Sequence, residues 1–357
     1  MAFKPSLREV LPPEAWEPAR AVLASQPEGS GQMPWFIRVL AGGGAWLSAL
    51  FLTVFLILLV PNNRRPTALV MSLIIITAAV LMRTRSTHVF ATQFTLSIGL
   101  AGQGFFIVGV ANLTREETLV ALAIVLLQGA LLVITPDLLQ RFLSALFASL
   151  ALLYVVRQTL PEVGMDMTLV AITALAHVLF LQQGTWQSRP WGERVTPLAF
   201  GLTTTLFTAL IIRTWFHEAY ARRLHSEDFV LPPGVLTLGL AAVTLYSAWR
   251  VMKDIPEGPQ GAAEVTLLAG LALLAVVTLD SPGVIAALGV LMLGFHRRAV
   301  VLIGMAVIFV LVFGVSHYYD MKVSLLAKSL SLMGSGLLLL GARLFLLRRP
   351  LMTGEAT

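Results

Sequence analysis

The chain has 357 residues, 57% of them hydrophobic and 12% charged, with a mean hydropathy of +0.83. Too few polar side chains remain to clothe a soluble domain of this size, whereas lipid-facing helices must be poor in charge, so the composition specifies an all-α, polytopic transmembrane helix bundle. The formal charge of +6 comes from 25 Lys and Arg set singly or in pairs between apolar runs. That is a topology pattern, not a nucleic-acid patch, and zero cysteines exclude disulfides, thiolate metal sites and cysteine nucleophiles.

Residues 1–34 are polar and proline-bearing (Pro5, Pro12, Pro13, Pro18, Pro27) with no early apolar stretch, so no cleavable signal peptide is expected and the first span acts as its own insertion signal. Within them, Trp16, Ala19, Val22 and Leu23 recur at helical spacing. Residues 13–26 therefore read as a short amphipathic helix on the cytoplasmic face, with a packing element or a free tail as alternatives.

Apolar runs bounded by charges or prolines then predict spans at 38–60, 66–82, 92–111, 118–134, 140–156, 167–182, 195–213, 235–249, 262–279, 283–295, 299–315 and 323–347. Several of these twelve fall short of the roughly 20 residues needed to cross about 30 Å of hydrocarbon, with 66–82, 167–182 and 283–295 the weakest, which leaves ten or eleven spans open. The implied organisation is a cytoplasmic segment 1–34, a transmembrane domain 35–349 and a cytoplasmic tail 350–357. The longest breaks fall at 161–166, 217–234 and 255–261, none long enough for a separate domain.

Lys4, Arg8, Arg20, Arg38, Arg83, Arg85, Arg141, Arg189, Arg194, Arg250, Lys253, Arg297, Arg298, Arg343, Arg348 and Arg349 would lie on the side of the N-terminus, sixteen of the 25 basic residues against nine opposite. The positive-inside rule then places both termini in the cytoplasm, with the paired Arg64 and Arg65 opposing the trend. Trp35, Trp186, Trp191, Trp215 and Trp249 fall at span ends and read as interfacial anchors. The tetrapeptide Ser-Ala-Leu-Phe at 48–51 and 144–147 would fit an internal duplication, but in so Leu- and Ala-rich a chain chance accounts for it.

Ionisable side chains inside a membrane are functional candidates because their desolvation must be compensated. All nineteen acids fall in tails, loops or near span ends, with Glu264 and Asp280 nearest hydrocarbon, so no buried acid is expected as a proton relay. Lys328 stands inside the last span, after His317, Tyr318, Tyr319 and Asp320. Ser324, Lys328, Ser331 and Ser335 share a helical face that must meet protein or water; snorkelling or pairing with Asp320 is the plainer reading and a ligand pathway the sharper one. Gln103, on a face with Thr95 and Gly99, and Gln128 before Gly129 read as helix-packing glue ahead of substrate contacts, as do Gly42 to Gly44 and Gly334-Ser335-Gly336.

His177, in an apolar run, reads as a hydrogen-bonded packing histidine. The loop with His217, Glu218, His225, Glu227 and Asp228 holds metal-ligand types, but its histidines are eight apart where a zincin needs four, so a solvated loop is expected. Nor is there a phosphate-cradling loop, a nucleophile elbow or a dinucleotide fingerprint. The sequon at Asn112 matters only in a eukaryotic secretory pathway. No cofactor or metal is expected.

Three stretches resemble the bacterial integral-membrane family catalogued as domain of unknown function 4401: Pro34-Trp35-Phe36-Ile37-Arg38 through Ala45-Trp46-Leu47, Leu138-Leu139-Gln140-Arg141-Phe142-Leu143-Ser144-Ala145-Leu146, and Tyr318-Tyr319-Asp320 through Leu325-Leu326-Ala327-Lys328-Ser329-Leu330. The paired tyrosines and the Lys-Ser step are the most specific. The resemblance implies an integral membrane protein of Gram-negative-type bacteria, whose neighbours look like other membrane families, one named for a Gly-Asp-Tyr motif. It implies no activity and carries over no catalytic residue. The expectation is a multi-pass inner-membrane component, non-enzymatic, with the lipid bilayer and other membrane proteins encoded nearby as partners; the alternatives are a permease and, more weakly, an enzyme acting on lipid-linked substrates.

Overall fold

The computed structural model describes residues 35–59, 65–85, 89–160, 162–189, 191–215, 233–254 and 261–320, together with Leu326, Ser329 and Met333. All regular structure among them is helical. The long helices are α1 (Trp35–Leu59), α2 (Arg65–Arg85), α3 (Val89–Thr114), α4 (Glu117–Ile134), α5 (Leu138–Thr159) and α6 (Glu162–Leu181). After the short α7 (Gln183–Gln187) come α8 (Val195–Trp215), α9 (Pro233–Asp254), α10 (Ala262–Val277), α11 (Pro282–Arg297) and α12 (Val300–Asp320). Among the described residues eight helices are long and apolar enough to cross a membrane: α2 to α6, α8, α9 and α12. Apolar but shorter are 42–55 within α1, α10 and α11.

Eleven of the twelve predicted spans thus coincide with a helix, and the last, 323–347, lies almost wholly outside the described residues. Of the three weakest spans two lengthen, 66–82 to 21 residues and 167–182 to 20. The third, α11, stays at 16. Residues 1–34 and the tail 350–357 also lie outside what is described, as does most of the 217–234 loop.

Residues 1–116 and 117–357 form two compact units. In the first, α2 and α3 run antiparallel, and glycines bring their backbones together. A Cβ at Gly109 would meet the Leu69 backbone nitrogen at 2.7 Å, one at Gly102 would meet Ile75 and Ile76 at 2.9 Å, and one at Gly99 would touch Ala79 at 3.4 Å. Helices in lipid gain little from the hydrophobic effect and associate by such close packing. Hydroxyls here donate to their own helix, Ser72 to the Leu69 carbonyl at 2.6 Å and Ser97 to that of Gln93 at 2.8 Å. Ala45 and Ala49, one turn apart on α1, are buried, while Leu47, Leu50, Phe51 and Val54 are exposed.

The second unit is an alternating up-and-down bundle. Its core joins Phe207, Leu206 and Leu210 of α8 to Leu169 of α6, Leu236 and Leu240 of α9, Ile285 and Leu293 of α11, and Leu302 of α12. Phe207 stacks on Phe309 with ring centroids 3.9 Å apart. Helix α6 runs antiparallel to α8, since Gln183 just beyond its end bonds Thr196 (3.0 Å) and Asp166 near its start pairs with Arg213. It runs parallel to α9, with Val170 against Gly239 and His177 against Ser247. Helix α11 in turn runs parallel to α9 and antiparallel to α12.

Candidate functional site

Of the residues singled out from the sequence, Ser324, Lys328, Ser331 and Ser335 lie outside the described residues. Asp320 closes α12. Just before it Tyr318 and Tyr319 stand edge to face with centroids 5.6 Å apart, Tyr319 being 75% exposed. Gln103 on α3 and Gln128 on α4 are both buried, both engaged by neighbouring groups, and belong to different units. Thr95 turns its hydroxyl back to the Thr92 carbonyl at 3.0 Å.

The polar groups that the second unit gathers are mostly others. At the end formed by the α4–α5, α6–α8, α9–α10 and α11–α12 connections, hereafter the arginine end, helix α4 finishes with no basic residue in its last turn. The final carbonyls of a helix lack intrahelical partners and carry the negative end of its dipole. Arginines from outside α4 supply both needs: Arg141 Nε donates to the Thr135 carbonyl at 2.7 Å and Arg194 Nη2 to that of Val133 at 3.1 Å. Arg141 is buried and also faces Glu193 at 3.4 Å, but Glu193 is 81% exposed, so that pair adds little. Asp137 caps α5 by accepting from the Gln140 amide at 3.0 Å, and Gln140 donates to Ser144 at 3.2 Å. Nearby, Arg189 lies 4.7 Å from the Trp186 ring centre and 5.8 Å from that of Trp191.

At the opposite end, Asp166 overturns one expectation. The stretch 161–166 reads as a loop, and no buried acid is anticipated; instead α6 begins at Glu162 and Asp166 is 2% exposed. Glu162, Gly164 and Asp166 make the segment look like solvent. What stabilises its burial is Arg213, brought to Asp166 from the end of α8. Ser281 bonds His317 at 2.6 Å on the same end, and Tyr154 there pairs with Glu117.

Between the ends, Ser149 and Thr205 pair at 2.5 Å where Gly201 lets α8 approach α5. On α6, Asp166, Thr173 and His177 are buried at intervals of seven and four; on α9, Thr237, Thr244 and Ser247 are buried at seven and three. Both are helical spacings, so each helix turns a polar stripe inward. They meet where His177 Nδ1 bonds Ser247 Oγ at 2.8 Å. The bonded packing histidine read from the sequence is present, and sequence reasoning missed only its partners.

The sequence profile of a family described as Domain of unknown function (DUF4401) matches residues 34–349. The chain belongs to that family. No curated protein and no solved structure matches it. Membership of DUF4401 and the apolar helical bundle together make this a multi-pass membrane protein. The family assigns no reaction to Arg141, Asp166, His177 or any other residue of the arrangement.

Proposed function

We propose that this DUF4401 member is a non-enzymatic component of the bacterial inner membrane, holding a place in a larger envelope assembly. The observation that carries the reading is how its buried polar side chains are used. Arg141 and Arg194 close a helix end, Asp166 is neutralised by Arg213, Ser149 is hydrogen-bonded to Thr205, and the hydroxyls of Thr173, Thr203 and Ser149 return to carbonyls of their own helices. Such groups rigidify a bundle, whereas a reaction or a transport path needs polar groups converging on space. The permease alternative rests on Lys328, outside the described residues, and on a midplane polar cavity. The groove on α2, lined by Leu73, Ile74, Thr77, Ala78 and Leu81, is apolar and on that helix's exposed face.

In this reading the chain crosses the membrane twelve times with both termini cytoplasmic. In the described part of the second unit the arginine end carries Arg141, Arg189, Arg194, Arg250, Lys253, Arg297 and Arg298 against Arg157 and Arg213 opposite, which supports placing that end in the cytoplasm. The partners are the surrounding lipid and membrane proteins encoded nearby. Purification from native membranes in mild detergent, followed by mass spectrometry, tests the proposal. The expected outcome is the same membrane protein recovered in fixed stoichiometry; a reproducibly monomeric chain with no such companion would refute it.

A further inference from the structure

The junction of α6, α9 and α11 departs from the pattern of internally engaged polar groups. His177 and Thr244 are 2% and 1% exposed, and His177 Nε2 and Thr244 Oγ1 are buried with no hydrogen-bond partner. Both side chains press on the same bare backbone. A Cβ at Gly289, halfway along α11, would lie 2.6 Å from Thr244 Oγ1 and 3.0 Å from His177 Cε1. Any larger residue at 289 would clash with both side chains, and glycine lets α11 close over them.

Ser247 Oγ lies 2.8 Å from both the Val243 carbonyl and His177 Nδ1. With its single hydroxyl proton turned to the carbonyl, as in a back-bonded helical serine, its oxygen accepts from Nδ1. In a neutral imidazole with the proton on Nδ1, Nε2 is an acceptor. Beside it Thr244 offers a hydroxyl that both donates and accepts. In a bundle interior, where no bulk solvent satisfies polar groups, two such atoms call for a third group between them.

We propose that this junction binds one neutral, water-sized molecule that donates a hydrogen bond to His177 Nε2, is held on its other side by Thr244 Oγ1, and rests against Gly289. Water is the first candidate, having donors for the imidazole and lone pairs for the threonine; two polar partners are the fewest that hold a buried water. The site lies among α6, α9 and α11, apart from both charged ends, and it does not depend on the scaffold reading.

The test is NMR of the full chain in lipid nanodiscs with histidine labelled by nitrogen-15 and carbon-13, six residues in all. His177 is assigned from the signal lost in His177→Asn. The expected result is a neutral imidazole protonated at Nδ1 and a nuclear Overhauser effect from a long-lived water to the His177 Cε1 proton, lost in Thr244→Val. A proton on Nε2, no contact with water, or a direct contact from the imidazole to the Thr244 hydroxyl would each overturn the proposal. The native spectrum decides these points even if the Thr244 variant fails to fold.

Discussion

Gly104 and Gly109 lie on the same helix, α3, and replacing each with alanine should have opposite effects. At Gly104 an added Cβ meets nothing within 4 Å, so Gly104→Ala should gain the about 0.5–1 kcal/mol that separates the two residues in a helix. At Gly109 the same methyl would sit 2.7 Å from the Leu69 backbone nitrogen and 2.9 Å from its Cα. Backbone cannot rotate aside as a side chain can, so α2 must shift and lose contacts along its length. Overpacking of this kind costs about 1–3 kcal/mol, which outweighs the propensity gain. Gly102→Ala, opposed by the side chains of Ile75 and Ile76 at 2.9 Å, should fall between, because isoleucines have rotamers to yield into. The assay is reversible unfolding by sodium dodecyl sulfate in mixed micelles, followed by helical circular dichroism. If Gly109→Ala proves as stable as Gly104→Ala, the close α2–α3 approach is wrong.

Asp166→Asn leaves Arg213 without its counter-charge at the membrane edge and should lower stability toward the bottom of the ~3–5 kcal/mol range for breaking buried pairs, since Arg213 is partly exposed; adding Arg213→Gln should recover part of the loss in a double-mutant cycle. Arg141→Ala should cost about 1–3 kcal/mol by orphaning the Thr135 carbonyl, and Arg141→Lys should restore little because Nε makes that bond; equal stability of all three chains in the same unfolding assay would contradict it. Because the chain has no cysteine, Ser188→Cys and Asp280→Cys, both exposed and at opposite ends of the bundle, report topology directly. An impermeant maleimide added to intact cells should label only the second, and labelling of the first would invert the orientation.

The helices were legible in the sequence because each span reports on itself: an apolar run of sufficient length is a helix in lipid whatever surrounds it. The ends were less legible for the same reason. Residues 162–166 carry Glu162, Gly164 and Asp166, and only the arrival of Arg213 from a helix some fifty positions away lets α6 start there. Arg141 and Arg194 read as topology markers, and nothing in their own surroundings shows that they complete the end of α4. Charge in sequence identifies a side of the membrane; its partner is a tertiary fact.

The interior polar groups fall between these cases. The stripe through Ser324, Lys328, Ser331 and Ser335 is visible in the sequence because it sets a charge inside an apolar run, and His177 stands out singly for a similar reason, while Thr173 on α6 and Thr237, Thr244 and Ser247 on α9 do not, although they obey the same helical period. Threonine and serine can satisfy themselves on the preceding turn, so a hydroxyl in an apolar run carries little information alone. Two helices each bearing a buried stripe are more informative. In lipid, polar groups left over after back-bonding must find each other or a bound molecule. Ser247 bonds both its own helix and His177, which leaves Nε2 as the atom whose partner no intrahelical bond can supply. Gly289, which has no polar side chain and would be passed over in any search for chemistry, is what lets α11 pack directly on His177 and Thr244.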